Sequence, residues 1–255
     1  MNTNKTSQKI SCFIGRVTAL ILASGLALST ATGANAADLV VYGASGNFGS
    51  DIVTEALSRG HNVIGVSRSP ENLTVDHPNF TAVRGDVSDL DSVLEIIPGA
   101  DAVIMSLRGN GTDNSAQETA TYKGAATYIQ AARILGEATP RVLQVGNQAT
   151  LYQNGVNGYE AAMAENRYAD NQPLHGRVYA HLLIIDLYEA EPNLDWTLFA
   201  PSGSIGPGER MGRYSVGDRM LDGPPTGISR DDYAISFIDE VENQKYSRRV
   251  ISIGY

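Results

Sequence analysis

The sequence predicts an α/β fold, a doubly wound parallel sheet with a small C-terminal substrate lobe. Three observations carry this expectation. Short apolar runs alternate with stretches of helical spacing along most of the 255 residues. The runs are almost continuously apolar, as strands covered on both faces must be. A glycine cluster follows the first run directly and opens the first helix, where a phosphate-binding turn belongs in such a sheet.

The elements follow in order. Residues 38–42, Asp-Leu-Val-Val-Tyr, form the first strand. Residues 50–59 have helical spacing, with Ile52, Val53, Ala56 and Leu57 on one face and Gly60 as the stop. Residues 62–66 and 80–83 are the second and third strands, the latter ending in Arg84-Gly85-Asp86. A helix over 89–96 closes on Pro98-Gly99, and 101–107 is the fourth strand. A long alanine-rich helix over 116–135 ends at Gly136, and 141–145 is the fifth strand. A looser polar region spans 147–172, then a helix 174–190 and a sixth strand 196–200. Residues 201–227 are rich in Gly and Pro. The last helix, 229–241, opens on Ser229 with Asp232 three residues on, a capping-box arrangement. Residues 249–253 close the sheet. Right-handed crossovers make this pattern doubly wound. Residues 37–255 are expected as one domain, with the lobe formed mainly by 147–227.

Gly43-Ala44-Ser45-Gly46-Asn47-Phe48-Gly49 is the strongest chemical signal. Its spacing is G-x-x-G-x-x-G, in strand–turn–helix context. Gly43 permits the tight exit from the strand, Gly46 lets a pyrophosphate approach the backbone, and Gly49 lets helix and strand pack closely. The helix N-terminus offers unpaired N–H groups and partial positive charge to the anion. The second strand ends in Ser67-Arg68-Ser69, with no carboxylate before Glu71. A guanidinium there suits a 2′-phosphate, so NADP(H) is expected over NAD(H). Asp86 either meets the adenine amino group or caps the following helix.

These segments resemble a known family. The glycine turn, Arg68, Gly85-Asp86-Val87, residues 101–104, Leu194 to Pro201, Pro207 to Arg210, Gly212 to Tyr214, Ile228 to Ala234 and Asp239-Glu240 together resemble the NAD(P)H-binding atypical short-chain dehydrogenases/reductases. The likeness is to the small members of the flavin reductase/biliverdin-IXβ reductase type. It implies a Rossmann fold, NADP(H) on the glycine turn, and a substrate pocket over the nicotinamide. The expected cofactor contacts are thus Gly43, Ser45, Gly46, Asn47, Phe48, Gly49, Arg68, Asp86, Val87 and Ser106, with Pro201 bounding the nicotinamide pocket.

The chain departs from the family's Tyr-x-x-x-Lys pair. Tyr179 is followed four residues on by Leu183, and Tyr122-Lys123 has the residue types at the wrong spacing. Carbonyl reduction by a tyrosine acid is therefore not supported. After the fifth strand the chain reads Gly146-Asn147-Gln148-Ala149-Thr150. The small hydroxyl usual there is either displaced to Thr150 or replaced by the Asn147 amide. His181 is a candidate proton donor, with a satisfied helical histidine as the plainer alternative. No metal site is expected: His175 and His181 are six apart and face different ways, and His61 and His77 have no ligand neighbours. Tyr152, Tyr159 and Tyr168 either line a flat aromatic site or pack the lobe.

Residues 1–36 read as an export signal. Lys5, Lys9 and Arg16 precede a short apolar run, and Ala34-Asn35-Ala36 places small residues before a cleavage site at Ala37. The run is too short to span a bilayer comfortably. Cleavage removes three basic and no acidic residues, so the net charge goes from −9 to −12. It also removes Cys12, the sole cysteine, so the product carries no thiol into an oxidising compartment. The acidic balance argues against nucleic acid and anionic membranes as partners. The expectation is a periplasmic or secreted NADPH-dependent oxidoreductase, a monomer or small homo-oligomer. It would pass hydride to a small conjugated, flavin-like or quinone-like substrate. The alternative is a non-catalytic NADP(H)-binding sensor.

Overall fold

A computed structural model describes residues 36–108, 115–168, 172–221, 223 and 225–255. Of the expected export segment, only Ala36 lies among them. The strands are β1 (Asp38–Tyr42), β2 (Asn62–Ser67), β3 (Phe80–Arg84), β4 (Ala102–Met105), β5 (Arg141–Val145), β6 (Tyr152–Gln153), β7 (Val156–Asn157), β8 (Trp196–Pro201), β9 (Ile205–Gly206), β10 (Ser215–Gly217), β11 (Ile228–Ser229) and β12 (Arg249–Gly254). The α-helices are α1 (Asn47–Ser58), α2 (Leu90–Ile96), α3 (Ala120–Leu135), α4 (Gly158–Ala164), α5 (Gln172–Glu189) and α6 (Arg230–Asn243).

Eight strands form one sheet in the order β3-β2-β1-β4-β5-β8-β12-β10. Every pairing is parallel except β10 with β12. This is the expected doubly wound α/β Rossmann fold. The chain order reverses between β1 and β4, so a crevice opens beyond their C-terminal ends.

The period-2 geometry of a strand sorts β1 between two cores. Leu39 and Val41 pack with Ile52, Val53 and Phe237, from α1 and α6. Val40 and Tyr42 pack with Ala125, Tyr128 and Tyr188, from α3 and α5. All four β1 side chains are buried. That explains why the strand reads apolar at consecutive positions.

Several boundaries moved from the sequence expectation. The first helix begins at Asn47, because the glycine turn winds straight into it. The expected helix over 116–135 is broken at Thr119, whose extended ψ of 146° separates a short turn, Ala116–Glu118, from α3. Asp89, not Asp86, caps α2, accepting from the Asp91 and Ser92 N–H groups. Ser229 caps α6 as expected, through the Asp232 N–H. The polar stretch after β5 holds a two-strand hairpin and α4, and the Gly/Pro-rich stretch supplies β9 and β10.

Candidate functional site

The site is built at the C-terminal ends of β1, β2, β3, β4 and β5. Gly43 leaves β1 with φ of +78°, and a Cβ there would stand 2.2 Å from the Ser106 carbonyl oxygen. Gly49 packs equally close: its Cβ would lie 2.1 Å from the Gly43 carbonyl oxygen. Both positions therefore require glycine. Gly46 closes the turn with an N–H to the Gly43 carbonyl at 2.9 Å and is the N-cap of α1. No side chain caps that helix, and no acidic residue occupies its first turn. Its first amides and positive dipole end are thus available to an anion.

A cavity of about 490 Å³ opens over this turn, lined among others by Ser45, Gly46, Arg68, Asp86, Val87 and Ser106. Arg68, exposed just past β2, has no acceptor for its guanidinium among the described residues. The Asp86 carboxylate accepts from the Ser88 N–H at 2.9 Å and stands at the cavity wall. Arg108 and Lys123 add two further cations, against Glu118 and Asp86.

A second cavity of about 540 Å³ adjoins the first, and Gly46, Ser106, Leu107 and Arg108 line both. Its far wall comes from α5. Leu174, Arg177, Val178 and His181 fall at i, i+3, i+4 and i+7 and so share one helix face. Asn47, Phe48 and Asn147 complete it. Asn147 is held by its own turn, its side-chain oxygen accepting from the Ala149 N–H at 2.9 Å. His181 is only 8% exposed, and its Nδ1 has no hydrogen-bond partner among the described residues. Burial lowers its pKa from 6.5 to about 4, so the ring is neutral near pH 7.

The structure thus gathers most of the expected site residues into one trough. Gly43, Ser45, Gly46, Asn47, Phe48, Arg68, Asp86, Val87, Ser106, Asn147 and His181 line it. Three do not belong to the wall, Gly49 among them, which packs against the Gly43 carbonyl. Thr150 is fully buried, and its hydroxyl donates to the Asn147 carbonyl at 2.8 Å. The short helical turn after β5 tucks it under the chain, so the Thr150 hydroxyl, one of the two alternatives expected here, borders neither cavity. Pro201 is buried at the end of β8, flanked by β5 and β12, and does not border either cavity.

Tyr179, followed four residues on by Leu183, lines neither cavity. Its ring stacks on Tyr159 at 5.0 Å and lies near His175 at 6.0 Å. The Tyr159 hydroxyl and His175 Nε2 are 2.6 Å apart, and Tyr168 stacks on Tyr159 at 6.0 Å. Tyr159, Tyr168, His175 and Tyr179 therefore pack one another, whereas Tyr152 lies against the Arg219 guanidinium at 5.1 Å. Sequence reasoning missed Arg108, Lys123 and Arg177. Arg108 follows the C-terminal end of β4, a position that marks the ligand edge of any parallel sheet, and Lys123 lies near the start of α3. Arg177 could have been found from its helical spacing to His181.

The profile of the NAD(P)H-binding family matches residues 43–244. The chain belongs to the NAD(P)H-binding family. A solved structure of a Bacteroides thetaiotaomicron protein, provisionally called an epimerase, is 32% identical with a TM-score of 0.73, covering 86% of this chain and 97% of that one. A Burkholderia pseudomallei protein provisionally called an exported protein is 28% identical with a TM-score of 0.70, covering 86% and 100%. A 79-residue stretch is 37% identical to a 3-beta-hydroxysteroid dehydrogenase of Mycolicibacterium neoaurum, spanning 29% of this chain and only 21% of that protein. The trough fits the family's ligand: an uncapped helix end, a glycine that leaves room for a pyrophosphate, and a cation past β2.

Proposed function

We propose that the protein is an exported NADPH-dependent reductase that passes hydride to a small conjugated acceptor, flavin-like or quinone-like, bearing an anionic group. The observation that carries this reading is the shared wall. Gly46, Ser106, Leu107 and Arg108 border both cavities, so one trough runs from Arg68 to His181.

The roles follow from chemistry and position. The α1 N-terminus and Gly46 hold the pyrophosphate. Arg68 grips the 2′-phosphate, which favours NADPH over NADH. Asp86 accepts from the adenine amino group. Bound NADPH supplies the hydride. At the acceptor end, neutral His181 and the Asn147 amide orient a polar edge of the substrate by hydrogen bonds. Arg177 pairs with its anionic group, since no carboxylate lines this cavity among the described residues.

Among the described residues no tyrosine or lysine belongs to the same lining, which supports a conjugated acceptor over a simple carbonyl. It equally disfavours epimerisation, which needs an acid/base group at the sugar carbon. The likeness to the exported Burkholderia protein supports the export reading. The test is direct. Processed protein is mixed with NADPH and either FMN or a quinone, and loss of the reduced nicotinamide absorbance is followed. Turnover is expected. Tight NADPH binding with no turnover on any acceptor would replace this reading with the sensor.

A further inference from the structure

We propose that cleavage between Ala36 and Ala37 creates an amino terminus that the folded protein itself binds: the Ala37 α-ammonium docks on the buried His61 imidazole, with Glu242 as counter-charge behind the ring. This rests on the export reading.

His61 sits in the turn between α1 and β2 and is 1% exposed. Its Nδ1 accepts the Ala37 backbone N–H at 3.0 Å. Its Nε2 lies 3.3 Å from a Glu242 carboxylate oxygen. Because Nδ1 accepts, the ring proton is on Nε2 and is donated to Glu242. The imidazole is therefore fixed in one tautomer, with its lone pair aimed at the Ala37 nitrogen. That nitrogen is the first atom after the bond at which the small-residue cleavage pattern of Ala34-Asn35-Ala36 ends. Two independent features, a sequence pattern and a buried acceptor, thus meet at one bond.

Hydrolysis of that bond adds one water. Ala36 leaves as a carboxylate with the signal, and the Ala37 nitrogen becomes a primary ammonium. The geometry around it suits the added charge. Ala36 is exposed and Ala37 half-buried, so the bond between them lies at the surface. The Ala37 carbonyl stays anchored by the Asn62 N–H at 2.9 Å. Asp38 and Asp101 flank the position, the latter accepting from the Asp38 N–H at 2.8 Å. The nearby cation, Arg59, is matched by Asp239 at 2.7 Å and Glu242 at 2.9 Å. A charge-assisted hydrogen bond to His61 then replaces a neutral one and is stronger.

The full chain is produced in a secreting bacterial host, and the processed protein is sequenced from its N-terminus. A start at Ala37 is expected. That protein is then compared with one carrying Gly-Ser ahead of Ala37, which restores an amide. The processed form should melt about 2–4 °C higher, and the gap should vanish in Glu242→Gln. As a readout that needs no variant, the α-amine is labelled by reductive methylation and titrated by NMR. It should titrate above the ordinary range of about 7.7–8.0. A start at Met1 overturns the export reading and the proposal together, and a processed start at any residue other than Ala37 overturns the proposal alone. A start at Ala37 overturns docking alone if the two forms melt alike, if Glu242→Gln leaves the gap unchanged, or if the amine titrates within its ordinary range.

Discussion

Gly43 and the Ser106 carbonyl oxygen approach so closely that a single methyl group on Gly43 would stand 2.2 Å from that oxygen. The contact joins the ends of β1 and β4, which part company there to follow opposite directions of the sheet. It continues the ladder, since the Ser106 N–H also donates to the Tyr42 carbonyl at 3.0 Å. The ligand trough exists because the two strands diverge just beyond this contact.

Substituting the glycines should therefore separate folding from binding. Gly43→Ala combines a positive φ with a backbone collision and is expected to cost about 2–4 kcal/mol of stability, measured by urea unfolding. Gly46 has an ordinary φ of −79°, and its Cβ would be 3.2 Å from the nearest atom. Gly46→Val should keep near-normal stability and lose NADPH binding by calorimetry.

Arg68 stands exposed just past β2, where the proposed function has it grip the 2′-phosphate. Arg68→Ala is expected to weaken NADPH binding by about 10- to 100-fold, the size of a lost charge-assisted contact, and to leave NADH binding within about twofold. Equal losses for both cofactors would remove Arg68 from the 2′-phosphate site.

His181 makes stability depend on pH. Its pKa falls from 6.5 in the unfolded chain to about 4 in the fold, through burial. Between those values the unfolded chain binds more protons, so stability rises with pH. The expected loss on acidification from about 6.5 to 4 is on the order of 3 kcal/mol. His181→Leu should flatten that limb of a urea-midpoint profile. An unchanged profile would place the acid sensitivity elsewhere.

Arg177 should matter for the acceptor and not for the cofactor. Arg177→Leu is expected to raise KM for an anionic acceptor such as FMN by about tenfold and to leave KM for an uncharged quinone nearly unchanged. Steady-state rates at saturating NADPH decide this.

Asp232 anchors the loop over the sheet edge. Its carboxylate accepts from the Met211 and Gly212 N–H groups at 3.0 and 2.8 Å, and from the Ser229 and Tyr255 hydroxyls at 3.0 and 2.6 Å. Burial alone would raise its pKa, yet these donors hold it below the ordinary carboxylate value. That contribution is complete above about pH 4 and lost as pH falls through the lowered value. Asp232→Ala should cost about 1–3 kcal/mol at pH 7 by leaving the Ser229 hydroxyl and three partly buried donors without their acceptor, read by thermal unfolding.

The sequence by itself determined the sheet, the phosphate turn and the cation after β2. Those are local signals: consecutive apolar residues in strands covered on both faces, glycines where a Cβ would collide, and a guanidinium one residue past a strand end. It also carried the Ser229–Asp232 cap, because capping acts over three residues. Tertiary structure alone decided which residues face the trough. Asn147, Thr150 and His181 are all candidates on paper, His181 with a satisfied helical histidine as the plainer alternative. A short turn buried Thr150 against the Asn147 carbonyl, while the rotation of α5 turned His181 inward and Tyr179 into an aromatic stack. The pairing of Ala37 with His61 and Glu242 was likewise invisible, since it brings together an N-terminal strand, a turn and the last helix. Such meetings depend on long-range packing, which has no period in the chain to betray it.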